Sequence, residues 1–450
     1  MVCSAILLSL VPTLGCSDSE DTVQLEVYSW WNQEAERVAF DAVVNIHRAK
    51  HESVAIKNLV NPDSGNSRAE LAQRMLAEVP PATFQANVGA DVLQWAVFDT
   101  TSDPRANVDA GPDGGGALIS SFDDPTGEEL TGNLPPEVKA QLYVGRGRTG
   151  PFAVPINIHR LNVLYYNKAK LDEVGGPDLL TLDKLCPSDP ETAAFPAKYA
   201  VAPADSWTLV LLVFENIFLA LGGPELYEQV FRGELPPGAE EKIREALACA
   251  RYLSRSFVGM KPPSDVSTEA ASNDRWASAV TAVKDGDATF TVMGDWANGL
   301  LKNELRTGEV VATPFPGTAD YFVFTSDSFP LPVGVEHPRE ALDFLRTIAS
   351  PAAQIAFSEL KGSIPARTDV DFTSPPGWAT HHEFEQKRKV LATSGFFPPY
   401  YPDLGASLDG TLLSEDISDD DLERTLREFL DTVPLLRRWQ DRLESGAEPP

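Results

Sequence analysis

No apolar run in this chain is long enough to cross a membrane as a helix, although 43% of its 450 residues are hydrophobic. Basic side chains are scarce, with 37 Lys and Arg against 66 Asp and Glu. The net charge of −29 would repel a polyanion and excludes nucleic acid as a partner. Its 36 prolines and 31 glycines are scattered, so there is no repeat array and no low-complexity tract. Motifs that carry chemistry are missing too. The glycine run at 114–116 lacks the Lys-Ser/Thr of a phosphate loop, and His381-His382 has no Glu-x-x-His around it. Nothing has the spacing of a nucleophile elbow or a catalytic triad. Neither a cofactor nor a metal nor an enzymatic activity is expected. The length leaves room for two domains or lobes, each with its own core.

The stretch that organises the rest is YSWWNQEAE at 28–36. It follows a strand-like VQLEV and leads into a helix with Ala35, Val38, Ala39, Ala42, Val43 and Ile46 on one face. A strand ending in two tryptophans and a carboxylate sets flat apolar faces beside polar groups. That mixture suits a sugar, whose ring has an apolar C–H face and a rim of hydroxyls. Adjacent strand residues point to opposite faces, so at most one of Trp30 and Trp31 would be core if the strand continued.

A second strand at 53–60 and a third, TFQANVG at 83–89, alternate with helices. Ser67 and Glu70 have capping-box spacing for a helix through Val79. This alternation predicts a parallel sheet with crossover helices. Residues 99–117, rich in Asp, Pro and Gly, read as a surface insertion. From 151 the chain crosses into a second set of elements, with helices at 209–221 and 239–254 and a strand at 287–297 that again ends in an acid and a tryptophan. A return strand is expected at 322–334. A final helix, capped by Ser418, is expected to end at Pro434.

The N-terminus, MVCSAILLSLVPTLGCSDSED, has a short apolar run ending in Leu-Gly-Cys. It reads as an export signal over 1–16 and resembles the lipobox of bacterial lipoproteins, in which the cysteine, here Cys16, takes lipid. Residues 17–22 would be a tether. If Cys3 leaves with the signal, Cys186 and Cys249 remain. In an oxidising compartment they form either a disulfide or two buried thiols, and both readings stay open here.

Eight strings together resemble the extracytoplasmic sugar-binding proteins of ABC importers, and are most similar to the glucose/mannose branch of the maltose-binding-protein-like group. They are YSWW at 28–31, TFQAN at 83–87, VPINIHR at 154–160, LYYNKAKL at 164–171, MGDWA at 293–297, PFPGTA at 314–319, SDSFPLP at 326–332 and KGSIPAR at 361–367. The resemblance implies an α/β, two-lobed periplasmic-binding-protein fold, each lobe a mixed sheet flanked by helices, joined by hinge strands. The N-lobe would take 23–161 plus 323–366, and the C-lobe 162–322 plus 367–450. A sugar would bind in the cleft at the strand ends, and the monomeric receptor would hand it to ABC permease subunits after hinge closure. Its place would be periplasmic or lipid-anchored on the outer face of a bacterial membrane.

Carried over residue by residue, the resemblance puts Trp30 and Trp31 on the sugar ring and Glu34 on its hydroxyls. Gln85 and Asn87 would offer amides, and Asn157 and His159 would reach in from the crossover. Trp207 would form a second aromatic wall. Asp295, beside Trp296, would be the acid of the second lobe, and Trp31 and Asp295 would face a common crevice. Asp327 and Lys361 are further candidates. The branch has a histidine where this chain has Asn87, and another where this chain has GFFPPYYPD, so Tyr400 or Tyr401 would substitute there. These departures bear on which sugar is bound. Two other functions compete with the receptor: an exported glycoside-acting enzyme, and a sugar sensor with the same cleft.

Overall fold

A computed structural model describes residues 22–60, 64–96, 117–144, 150–188, 195–202, 207–259, 275–373, 384–385, 389–392, 407–408, 411–412 and 417–445. Cys16, the tether before residue 22, Tyr400 and all of the 99–117 insertion but its last residue lie outside the described residues. In chain order the strands are β1 (Val23–Ser29), β2 (Val54–Val60), β3 (Thr83–Phe84), β4 (Ala86–Asn87), β5 (Ile119–Ser120) and β6 (Ala153–Pro155). They continue with β7 (Asn157–Arg160), β8 (Val163–Asn167), β9 (Tyr199–Val201), β10 (Phe257–Gly259) and β11 (Phe290–Val292). The last are β12 (Val310–Pro314), β13 (Tyr321–Thr325), β14 (Asp327–Pro332), β15 (Ile364–Pro365) and β16 (Lys389–Ala392).

The opening alternation of strand and helix makes a parallel sheet, β2-β1-β3, with helices Glu34–Arg48 and Ser64–Leu76 as crossovers. Within TFQANVG the run divides. β3 stays beside β1, whereas β4 pairs with β14 in a different sheet, where β5 and β6 also join. Gln85 is the single residue between the two. The sheet β10-β9-β11-β8-β12 is mixed: β9 is parallel to β10 and β11, and β8 is antiparallel to β11 and β12. Joining these units is β15-β7-β13-β16.

The apolar cores follow this division. Two adjoining clusters draw on the early chain and on Phe322, Phe329, Phe344 and Phe357. A third draws on residues between Leu161 and Val323 and on the final helix through Leu436. Neighbours on the connecting strands split between them: Phe322 packs into the first lobe and Val323 into the second, since successive strand side chains alternate. Two cores sharing such strands make an α/β fold of two lobes.

Several expected boundaries move. Helix Ser64–Leu76 starts before Ser67, so Ser67 lies inside it and not at its cap. The strand expected over 287–297 contracts to β11, and its end becomes the 3-10 turn Asp295–Gly299. Pro434 does not stop the final helix, Asp419–Ser445. Leu426, Phe429, Val433 and Leu436 dock on the second core along both sides of the proline, and that burial outweighs the lost backbone hydrogen bond. The segment Thr208–Phe231 is long and apolar enough to span a membrane, contrary to the expectation from sequence. Here it is π-helical over Thr208–Phe214, broken at Gly223 (φ 76°), and packed into the second core.

Cys186 and Cys249 form a disulfide with Cα atoms 4.8 Å apart, tying the short helix Leu182–Leu185 to helix Ala239–Ser254. Their separation of 63 residues makes the closed loop long. Replacing both with serine is expected to lower the free energy of unfolding by about 4 kcal/mol, measured by urea denaturation.

Candidate functional site

β1 ends at Ser29, and the two tryptophans diverge from there. Trp31 turns inward and is 0% exposed, with its ring 4.8 Å from Phe357 and 5.7 Å from both Phe40 and Phe329. The expectation that Trp31 stacks on a sugar and faces a crevice with Asp295 is therefore corrected: it is a core residue. Alternation decided this, because the phenylalanines wait on the inner side. Trp30 is half-buried and packs against the same core cluster. Its backbone N–H donates to Gln85 Oε1 at 3.1 Å.

Gln85 begins a chain of polar side chains that leads to the second lobe. Its position between β3 and β4, where the backbone changes sheet, turns its amide towards β14. There Gln85 Nε2 donates to Asp327 Oδ1 at 2.8 Å. Asn157, at the start of β7, clasps the same residue: Asp327 N–H donates to Asn157 Oδ1 and Asn157 Nδ2 donates to Asp327 Oδ2, both at 2.9 Å. Asn157 Nδ2 is also 2.9 Å from His159 Nε2. His159 Nδ1 then makes a short hydrogen bond to Asp295 Oδ1, which crosses from β7 to the turn after β11. His159 is 3% exposed and Asp295 1%, so the link is dry. Asp295 Oδ2 is buried and has no hydrogen-bond partner among the described residues. Asn87 adjoins this chain, 8% exposed, its Oδ1 accepting from Thr325 Oγ1 at 3.2 Å.

Trp296, the residue after Asp295, gathers two further half-buried indoles. Trp296 lies edge-on to His159 at 5.3 Å, with Trp207 at 5.8 Å and Trp276 at 6.4 Å from it. The Trp296 ring folds back over Gly294, where an added Cβ would lie 2.0 Å from it, so glycine is required at that point of MGDWA. Trp276 had no local signal in the sequence. It opens the described part of helix Arg275–Asp285 and joins the cluster only through packing.

Glu34 and Lys361 fall elsewhere than expected. Glu34 is exposed on the first turn of its helix and takes no part in the network. The buried carboxylate of that turn is Glu36, which accepts from the N–H groups of Asn32 and Gln33 and pairs with Lys361 Nζ at 2.5 Å. Lys361 is thus an internal ion-pair partner, 4% exposed, and not a group held out to a ligand. The pair lies where the lobes meet, since Gly299 of the second lobe approaches Ala35 and the Lys361 carbonyl.

Charge in the network is mutually compensated. Burial alone would lower the His159 pKa. The Asp295 charge, its hydrogen bond and the hydrogen bond and charge of Asp327 together hold it above the ordinary value. Asp327 is pushed up by burial, but hydrogen bonding to His159, the His159 and Lys361 charges and the Gln85 amide carry it below the usual carboxylate range. Arg160, beside them on β7, is lowered by burial to about 10. A raised histidine favours the folded state fully below the unfolded-state value of about 6.5 and loses that contribution as pH rises through its folded value. His159→Gln should therefore remove a fall in stability on the alkaline side, measured as thermal midpoint against pH. Trp31→Ala should cost about 3–5 kcal/mol of stability through the cavity it leaves.

Residues 63–386, more than half of the chain, match the model of a family described as bacterial extracellular solute-binding protein. An uncharacterized ABC transporter extracellular-binding protein of Pyrococcus horikoshii is 30% identical over 371 residues, covering 80% of this chain and 76% of that protein. A probable sugar-binding periplasmic protein of Rhizobium meliloti is 30% identical over 372 residues, covering 80% of each. Among solved structures, the bacterial solute receptor AcbH, described as having an exclusive preference for β-D-galactopyranose, superposes with a TM-score of 0.70 at 14% identity, over 93% of this chain and all of that one. At that identity the likeness speaks for the fold alone. The chain belongs to the family of bacterial extracellular solute-binding proteins.

Proposed function

We propose that the protein is an extracytoplasmic carbohydrate receptor of an ABC importer that binds a neutral sugar between its lobes and delivers it without altering it. The observation that carries this reading is the pairing of Asp295 with Trp296, Trp207 and Trp276. A buried carboxylate oxygen without a partner among the described residues is followed in the chain by Trp296 and its cluster of half-buried indoles, which is the polar and apolar complement of a sugar ring. A buried acceptor left unpaired is unfavourable, so a hydroxyl that reaches it is strongly favoured. The Trp30 backbone is joined to the same network through Gln85.

The ligand on this reading is a glucose- or mannose-like monosaccharide or a short oligosaccharide. The lobes would divide as 23–161 with 323–366 and 162–322 with 367–450, in keeping with the separate apolar cores. The hinge strands β7 and β13 would let the lobes close, and the closed form is what permease subunits would read. A lipid on Cys16 would hold the receptor at the outer face of the membrane. Among the described residues, the other carboxylate of this network, Asp327, is hydrogen-bonded on both oxygens, which favours a receptor over a glycoside-acting enzyme.

Titration of tryptophan fluorescence with a panel of neutral sugars is expected to show saturable quenching or a shift for at least one, with the sugar recovered chemically unchanged. Trp296→Ala and Asp295→Ala should each weaken that binding by at least about tenfold through loss of a stacking face or a charged hydrogen bond. Absence of any response, or hydrolysis of the bound sugar, would overturn the assignment.

A further inference from the structure

Asp327 stands apart from Asp295 in having both carboxylate oxygens held by neighbouring side chains. It is 5% exposed, Oδ1 accepts from Gln85 Nε2 at 2.8 Å, and Oδ2 accepts from Asn157 Nδ2 at 2.9 Å. Its backbone N–H fixes the Asn157 amide, because that donor requires Asn157 Oδ1 opposite it. Asn157 Nδ2 must then be the amide –NH2, and its second hydrogen faces His159 Nε2 at 2.9 Å. A neutral His159 ring can only accept there, so its single proton sits on Nδ1, aimed at Asp295. When the ring is charged, the added Nε2–H has Asp327 Oδ2 at 3.4 Å to meet, and Nδ1–H keeps the same partner. With the ring neutral, every donor in the chain therefore points in a determined direction.

We propose that Asp327 and Asn157 are positioning residues for the ligand site: they commit the His159 Nδ1–H to Asp295 Oδ1, so that only Oδ2 of that carboxylate is left to accept from a ligand. The pair acts through His159 and touches no ligand itself. The charges around the ring are Asp295 from the turn after β11 and Asp327 from β14, with Arg160 acting on Asp295 and Lys361 on Asp327. The consequence for selectivity rests on the sugar-receptor reading. The group that meets Oδ2 must bring a proton, so a hydroxyl is accepted there, whereas a deoxy position or a carboxylate is refused.

Two measurements separate this proposal from that reading. The first needs no sugar: nitrogen-15 NMR of the histidine rings in the ligand-free protein, at a pH above the His159 titration, assigned with His159→Gln. The expected spectrum has a protonated Nδ1 and a bare Nε2. Asp327→Asn, folded by circular dichroism, should move the His159 titration to lower pH, and Asp327→Glu should restore part of the shift. A proton on Nε2 in the wild type, or a titration unmoved by Asp327→Asn, would overturn the positioning role, and a merely structural Asp327 would not move it. The second takes the best sugar of the fluorescence panel and its monodeoxy analogues. One analogue should bind about a hundredfold more weakly than the parent, and Asp295→Asn should erase most of that difference. Equal discrimination in wild type and Asp295→Asn would refute Oδ2 as the open acceptor. If no sugar binds at all, the receptor reading and the selectivity fall, while the ring spectrum still decides the positioning role.

Discussion

A carboxylate removed from water must be compensated, and the arrangement of this molecule follows from how that is done for Asp295. Its partner, His159, comes from the other side of the lobe junction, on a strand of a different sheet. One hydrogen bond thereby joins two folding units and sets their distance. Removing one member of a buried charged pair strands the other, at a cost of several kcal/mol. His159 in turn needs Asp327, which draws in Asn157 and Gln85, and through Gln85 the backbone of Trp30. Five polar side chains, from β7, β14, the step between β3 and β4 and one turn, are ordered by a single electrostatic requirement.

Backbone devices hold this network in place. The break between β3 and β4 sends neighbouring residues to different sheets and leaves Gln85 at the step. Gly294 leaves room for the Trp296 ring to fold back beside His159. A second buried ion pair, Glu36 with Lys361, sits where Gly299 of the second lobe comes close to the first. The lobe junction is thus lined by compensated charge on both elements that meet there, which favours one relative placement over neighbouring ones.

MGDWA marks Asp295 and Trp296 because an acid and an aromatic at a strand end lie where open α/β sheets place ligands, whereas Asp327 in SDSFPLP is marked only by the family resemblance. What those strings could not convey is which partner each group finds. Glu34 and Glu36 are two residues apart in one helical turn, and only the packing of helix Pro351–Lys361 beside it makes Glu36 the buried one. Trp30 and Trp31 look alike in the sequence, yet Phe40 on the next helix, with Phe329 and Phe357 from distant parts of the chain, claims Trp31. Trp276 was invisible because its neighbours Trp296 and Trp207 lie far from it in sequence.

By itself the sequence determined the local matters: the alternation of strand and helix, the excess of acid over base, and the positions where indoles and carboxylates end strands. These depend on periodicity, composition and short-range geometry, which neighbours along the chain suffice to set. Only the tertiary structure decided that Trp31 is core, that Lys361 answers Glu36, and that Asp327, Asn157 and His159 form one directed chain ending on Asp295. Such roles depend on burial and on partners hundreds of residues away. A side chain's charge and hydrogen bonding are properties of the environment it is folded into, and no local pattern encodes that environment.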